Sequence, residues 1–499
     1  MLKTQPPIIG IRLRKLILAG AGSALILLLQ FSFFSARAGM TPDYSLKNIS
    51  GLYKESYLKF FYFFYYTGYF PIASSDDTLV YDEASARRYL EPGSGQTLST
   101  EHHHASRAGD FGKIFLFWPD ALLKGSPEKS SLLSFNFLLF SASLIILFCF
   151  FLYNGLGLAG ALLVLTAGSS PFLLFENYGK DNVFGQLGSA ALLLLALHLP
   201  QILGKASRFW IWAVPVLSAL ILAFFKQVRP EFAVLFISVL FVYLFTPASP
   251  LRRRLLQPLI FILLFTLSLT GWERYWEMKN SQAVQKVEAA GGFPYKGSRY
   301  LYHRLWHPVW CGLGDFDQKY GYEWRDRTAH AYALPFLRER LGKNLTLSGD
   351  NYLEQTYEGS SHRIKPEDHG EYLAILRDKV LGDIRRDPVW YAGILMKRAA
   401  HIFRETTPVR IGVSNHFVTI PFSGFLTLPV LAWLLRRRDW QKILLIAFTV
   451  PLSLPALLIY SGGGQTFHSL FHLAVFALIP CIVTGLFRER AGKAAGQAS

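Results

Sequence analysis

Two adjacent carboxylates, Asp76 and Asp77, follow two serines in the stretch Ser74-Ser75-Asp76-Asp77-Thr78-Leu79-Val80-Tyr81. Serine as N-cap with acids in the first turn predicts a helix start here, running to Leu90 before Pro92-Gly93 stops it. Acids at that position complement the helix dipole, which is their plainest role. The dipole also keeps them ionised, ready to take a proton as general base or to hold a Mg or Mn ion. A second group is basic: Lys226-Gln227-Val228-Arg229-Pro230-Glu231. A lysine point charge and an arginine fork suit a phosphate at headgroup depth, although pairing with Glu231 and anionic lipid would also satisfy them. The third is Glu176-Asn177-Tyr178-Gly179-Lys180-Asp181-Asn182. Lys180 reads as part of a solvated turn, whereas Asp181 directly precedes an apolar run. Together these groups suit transfer from a membrane-anchored phosphate donor. A carboxylate would take the proton of an acceptor hydroxyl, and the cations would stabilise the phosphate as it leaves.

Other residue types carry weaker signals. His102-His103-His104 follows Glu101, but three consecutive histidines cannot all face one ion from a regular helix or strand. A solvated loop is the favoured reading, with His102 or His104 as the member that could ligate Zn. Trp306, His307, Trp310 and Trp324 could stack on sugar rings or form the core of an external domain.

These groups must be positioned by membrane-spanning helices. The chain has 499 residues, of which 51% are hydrophobic and 15% aromatic, with mean hydropathy +0.26. Three cysteines exclude a disulfide framework, and Cys149 and Cys481 lie inside apolar runs. The net charge of +17 sits in short clusters beside apolar segments, which is a topology signal and not a nucleic-acid footprint. The first span runs from Leu16 to about Phe34, with Ala36-Arg37-Ala38 resembling a signal-peptidase site as the competing reading. Further spans are predicted at 131–153, 156–175, 183–203, 209–225, 232–247, 256–272, 418–435, 443–460 and 469–487, about ten in all.

With the N-terminus inside, the clusters Lys205/Arg208, Arg252-Arg253-Arg254, Arg436-Arg437-Arg438/Lys442 and Arg488/Arg490 share the cytoplasmic side. Lys226 and Arg229 are the exception, at the outer face. The expected organisation is a transmembrane module over 1–272 with a first external loop at 37–130. An external, mostly helical soluble domain follows over 273–417, then C-terminal helices and a cytoplasmic tail over 418–499. Within the external domain a helical run from about Glu371 to Arg404 is interrupted at Asp387-Pro388, read as the N-cap and first position of a second helix.

Asp76-Asp77-x-x-x-Tyr81 followed by Ala84-x-Ala86-Arg87-x-x-Leu90 resembles the first external loop of GT-C integral-membrane glycosyltransferases. The layout is most similar to bacterial relatives of protein O-mannosyltransferases and lipid A aminoarabinose transferases. It continues through Thr166-x-x-Ser169-Ser170-Pro171, the loop with Asp181, and Arg229-Pro230-Glu231-Phe232, covering roughly the first 250 residues. The resemblance implies an all-α polytopic fold of about ten spans and a polyprenyl-phosphate sugar donor. It also implies an inverting displacement onto a lipid, glycan or protein acceptor at the outer face of a bacterial inner membrane. Its first-loop base maps onto Asp77 or Asp76, because many relatives show Asp-Glu where this chain has Asp-Asp-Thr. Asp181 joins the catalytic candidates; Lys226, Arg229, Tyr81, Glu231 and Lys180 are expected to bind substrate. No cofactor beyond a divalent Mg, Mn or Zn ion is implied. The competing classes are a transporter, a non-catalytic envelope-assembly protein, and a lipid-linked glycan polymerase or ligase.

Overall fold

Where long uninterrupted apolar runs meet few helix breakers, single helices form; where prolines and glycines interrupt them, the helices shorten. The computed structural model describes residues 8–40, 61, 63–70, 72–74, 83–88, 98–99, 111–124, 131–178, 185–246, 250–292, 305–347, 353–357, 360–364, 366, 369–406, 409–413, 416–420, 427–449, 451 and 454–459. In chain order the first half comprises α1 (Ile8–Met40), β1 (Ala73–Ser74), α2 (Glu83–Arg88), β2 (Leu98–Ser99), a 3-10 turn (Phe111–Leu116), α3 (Trp118–Lys124) and α4 (Ser131–Tyr153). Then come α5 (Gly157–Gly168), α6 (Pro171–Tyr178), α7 (Gly185–Ile202), α8 (Arg208–Val228), α9 (Val234–Phe245) and α10 (Leu251–Ala289). The remainder is α11 (Trp306–Leu313), α12 (Asp326–Leu341), the strands β3 (Thr346–Leu347), β4 (Leu353–Tyr357) and β5 (Ser360–Ile364), α13 (Gly370–Arg386), α14 (Pro388–Thr406), the hairpin β6 (Val409–Val413) and β7 (His416–Ile420), and α15 (Thr427–Arg436), α16 (Trp440–Thr449) and α17 (Leu454–Leu458). All strand pairings are antiparallel: β1 with β2, β3-β4-β5, and β6 with β7.

The protein is a helical membrane protein, but the expectation of about ten spans needs correction. Four helices among the described residues are long and apolar enough to cross a bilayer: Leu13–Ser35, Ser134–Tyr153, Arg208–Val228 and Leu251–Ala289. The run at 156–175 is split by Ser169-Ser170-Pro171 into α5 and α6, since Pro171 can begin a helix but cannot continue one. The run at 232–247 opens as a 3-10 turn at Pro230–Ala233 and leaves only the twelve residues of α9. In the run at 418–435 the described residues are β7 up to Ile420 and α15 from Thr427, and in the run at 443–460 they form α16 to Thr449 and α17 from Leu454. At 183–203 the helix is α7, with Pro200 inside its last turn. The expected span at 469–487 lies outside the described residues.

Apolar surface is exposed on two of the long helices. Leu16, Ile17, Leu25, Leu28 and Phe31 of α1, and Leu255, Leu259, Leu263 and Leu267 of α10, are exposed. Rows of bare leucines on two long helices fit hydrocarbon as solvent. Inside, glycines make room for side chains of neighbouring helices: a Cβ on Gly22 would collide with the Phe148 ring, and one on Gly188 would lie 2.9 Å from the Leu173 side chain. The segment expected to be external holds its own core of Trp310, Tyr322, Leu337, Tyr372, Leu376 and their neighbours. α10 passes without a break through the expected junction at 272–273. The helix boundary expected at Asp387-Pro388 is present, with the Trp390 N–H donating to Asp387 Oδ1 at 3.0 Å as an N-cap bond.

Candidate functional site

Short contacts place the described basic clusters at one end of the bundle. Lys15 donates to the Tyr153 carbonyl (3.2 Å) and Lys205 to that of Asn154 (2.5 Å), both at the C-terminal end of α4. Gln257, one turn past Arg252-Arg253-Arg254, donates to Ile211 O at 2.7 Å and accepts from Gln201 at 2.9 Å. A Cβ on Gly204 would meet Gln441, beside Lys442, at 3.6 Å. Lys226 and Arg229 lie at the other end, because α8 has 21 residues and so is about 30 Å long.

That other end is built by a proline. Arg229 precedes Pro230, which forces it out of helical geometry (φ −159°, ψ 141°) and ends α8 at Val228. Lys226 sits in the last helical turn, half-buried, where the dipole favours a cation. Phe225 and Phe232 stack across the break at 5.0 Å between centroids, fixing the corner. Between the two cations, Gln227 accepts a hydrogen bond from Trp276 Nε1 of α10 at 3.1 Å. Gly112 of the 3-10 turn lies so close that a Cβ there would be 2.6 Å from the Gln227 backbone carbon.

Trp276 and Phe111 belong to an aromatic cluster with Phe61, Phe64, Phe70, Ile72, Phe117 and Ala86. Phe70 is stacked on Trp276 at 5.7 Å and meets Phe111 at 4.9 Å. Ile72 and Ala86, 3% and 0% exposed, are members of this cluster that lie on either side of the acidic stretch in sequence. Both sides of that stretch are therefore anchored in the cluster that touches Gln227.

The expected site residues divide accordingly. Lys226 and Arg229 are brought onto one helix end. Asp76, Asp77, Tyr81, His102, His104, Lys180 and Asp181 lie outside the described residues, and of Glu231 only the backbone, in the 3-10 turn, is described. Ser74, the first of the two serines expected to cap a helix, pairs with Leu98 as strand β1, and the described helical part of the segment is Glu83–Arg88. Next to the Lys180-Asp181 loop is a buried network that the residue types alone did not single out. Gln186 Nε2 donates to Asn136 Oδ1 (2.6 Å), Asn136 Nδ2 to the Asn177 carbonyl (3.1 Å), and Ser189 Oγ to Asn177 Oδ1 (3.1 Å). Tyr178 donates to Gln30, which donates to Gly168 O. These bonds hold both ends of that loop, since they tie α6 and α7 to α1 and α4.

A second constellation lies in the external segment. His307 and Cys311 are one helical turn apart on α11, and Asp326 opens α12. His307 Nε2 is 3.3 Å from Asp326 Oδ1 and 3.8 Å from Cys311 Sγ, while Nδ1 is 2.5 Å from the Tyr372 hydroxyl. His307 and Cys311 are buried and Asp326 is partly exposed. The fold brings α12 back onto α11 through Gly314, where a Cβ would meet the Glu323 backbone at 2.6 Å. Beneath the turn, Arg398 donates to Gly312 O at 2.6 Å and to Asp315 at 3.3 Å, both ion-pair side chains being at most 2% exposed. Burial holds the Arg398 guanidinium below its ordinary range, and Asp315 opposes that. Near it, burial and the Asp383 carboxylate push the Tyr322 hydroxyl up. His307 and Trp310 are core residues, as the plainer of the two readings had it; Trp324 is exposed.

No family model matches the chain, and neither does any curated protein or solved structure in the same comparisons.

Proposed function

We propose that the chain is an integral-membrane glycosyltransferase using a polyprenyl-phosphate sugar as donor. One observation carries the reading: the half-buried pair Lys226 and Arg229, at the end of α8 opposite the other described basic clusters, is bridged through Gln227, Trp276 and Gly112 to a cluster that includes Ile72 and Ala86, on either side of Asp76-Asp77. Asp77 or Asp76 takes the proton of an acceptor hydroxyl, whose oxygen attacks the anomeric carbon. The carbon–phosphate-oxygen bond breaks with inversion, and the phosphate leaves with the bonding electrons toward Lys226 and Arg229. Asp181, Lys180, Tyr81 and Glu231 complete the substrate contacts in this reading. By the positive-inside rule the four basic clusters face the cytoplasm of a bacterial inner membrane, so the acceptor, a lipid, glycan or protein, is met outside. A divalent Mg, Mn or Zn ion on one aspartate is compatible with the chemistry.

Turnover of labelled polyprenyl-phosphate sugars by the full chain tests this. Asp77→Asn or Asp76→Asn is expected to cost about 100-fold or more in rate, the usual worth of a general base, while Arg229→Ala weakens donor binding. Equal turnover in wild type and both asparagine variants removes the carboxylates from the mechanism.

The helix break at Ser169-Ser170-Pro171, next to the neutral network around Asn136 and Asn177, favours a second reading as a transporter with a discontinuous helix. Cysteine labelling at Ser169 from both sides of the membrane separates the two, since only a transporter opens it alternately.

A further inference from the structure

We infer that His307, Cys311 and Asp326 form a divalent transition-metal site whose donor set suits Zn²⁺. The three ligand atoms lie within 4.8 Å of one another, with the imidazole nitrogen at 3.3 and 3.8 Å from the other two. Tetrahedral zinc bonds of about 2.0–2.3 Å put neighbouring ligand atoms about 3.3–3.8 Å apart, so the atoms already stand near the corners of such a site.

The sequence spacing supports the same conclusion. His307 and Cys311 are four residues apart on α11, and Asp326 and His330 are four apart on α12, so each helix turns a pair of possible ligands toward the other. The His330 ring is 5.4 Å from that of His307, which places it to supply a fourth ligand where solvent does not. Tyr372 fixes the outer nitrogen of His307: with Nε2 on the ion, Nδ1–H donates to the Tyr372 oxygen, an arrangement that orients metal-bound histidines.

Sulfur with imidazole and a single carboxylate selects zinc over magnesium or calcium, which prefer oxygen. The ion would staple α11, α12 and, through Tyr372, α13. This site is independent of the sugar-transfer reading.

The test uses the full chain purified in detergent without chelators. Elemental analysis is expected to find zinc at one ion per chain, retained when His102, His103 and His104 are replaced by alanine. After exchange with Co²⁺, a thiolate-to-cobalt charge-transfer band is expected, absent in Cys311→Ser. Tyr372→Phe should weaken zinc binding about 10–100-fold in a competition titration, as removal of an outer-shell partner does. Asp326→Asn, at the partly exposed corner, provides a variant whose helix content can be verified by circular dichroism while its zinc content falls. The inference is overturned by a wild-type chain that takes up no zinc when loaded. It is equally overturned by zinc lost with the three histidines at 102–104, or by a cobalt band that survives Cys311→Ser.

Discussion

The bundle and the external segment bury polar groups by opposite means. Inside the bundle, described buried amide and hydroxyl side chains (Gln30, Asn136, Asn177, Gln186, Ser189, Gln201 and Gln257) link helices by hydrogen bonds to one another and to backbone carbonyls. In the external segment charge itself is buried. Arg398 is bound to Asp315, and Asp383 to Lys379 at 2.6 Å and the Tyr322 hydroxyl at 2.9 Å. A bilayer offers no water to repay an unpaired charge, so amides and hydroxyls tie its helices together. Where the surroundings are aqueous, an ion pair can be enclosed if every donor finds an acceptor.

Breaking the charged side should cost most. Arg398→Met removes a guanidinium that also donates to Gly312 and Leu457 carbonyls and leaves Asp315 enclosed without its partner. The expected loss is about 3–5 kcal/mol in unfolding of the external segment, read by thermal denaturation of the full chain. Arg398→Lys should not restore it, since one ammonium cannot reach three acceptors in different directions. A loss below that of the bundle substitutions would break the contrast between the two regions.

Gly112→Ala should come next. Its methyl would sit 2.6 to 2.8 Å from Gln227 and Val228 atoms, most of them backbone, so the 3-10 turn or the end of α8 must move. Overpacking of this kind costs about 1–3 kcal/mol. If the aromatic cluster and the basic pair act together, donor affinity falls with it; unchanged affinity would uncouple them. Asn136→Leu removes the hydrogen bonds to Gln186 Nε2 and the Asn177 carbonyl, at about 1 kcal/mol, the scale of interhelical bonds in membranes. Its measure is the detergent-solubilised melting temperature.

How much of this was legible beforehand depended on whether one residue type could decide the structure locally. Pro388 after Asp387 announced the α13–α14 boundary, and the unbroken apolar run of α4 began at Ser131 as expected. Hydropathy over-counted spans because it registers apolar residues and not the backbone. Ser169-Ser170-Pro171 breaks a run that hydropathy reads as one span, and the 3-10 turn opening at Pro230 shortens the next helix to twelve residues. The basic pair at Lys226 and Arg229 stood out because its charge sits at the wrong end of its helix. The His307-x-x-x-Cys311 spacing is equally readable, but a histidine and a cysteine one turn apart carry no metal signal without a third ligand. That Asp326, 15 residues further on, and Tyr372 close the same nest depends on Gly314 letting the chain fold back, a tertiary fact with no local signal.

The smallest expected effect lies at the mouth of α13 and sharpens the contrast by asking what happens when a titratable group is buried without an ion-pair partner of its own. His369 caps α13, and its Nε2 is enclosed with no hydrogen-bond partner among the described residues. Burial lowers its pKa below the ordinary 6.5; Glu371 works against that shift and Lys343 with it. The unfolded chain therefore takes up a proton near pH 6.5 while the folded chain resists it. The folded state is then fully favoured above pH 6.5 and loses stability as pH falls below that value. Replacing His369 with Gln removes this slope, so wild type should lose more melting temperature than the variant between pH 7.5 and pH 5.5, on the order of a degree or a few. Glu371→Gln should deepen the acid loss, because it removes the group that favours protonation, and Lys343→Gln should lessen it. Parallel pH profiles for wild type and His369→Gln would show that the imidazole is already solvated, and that this corner of the external segment obeys neither region's rule.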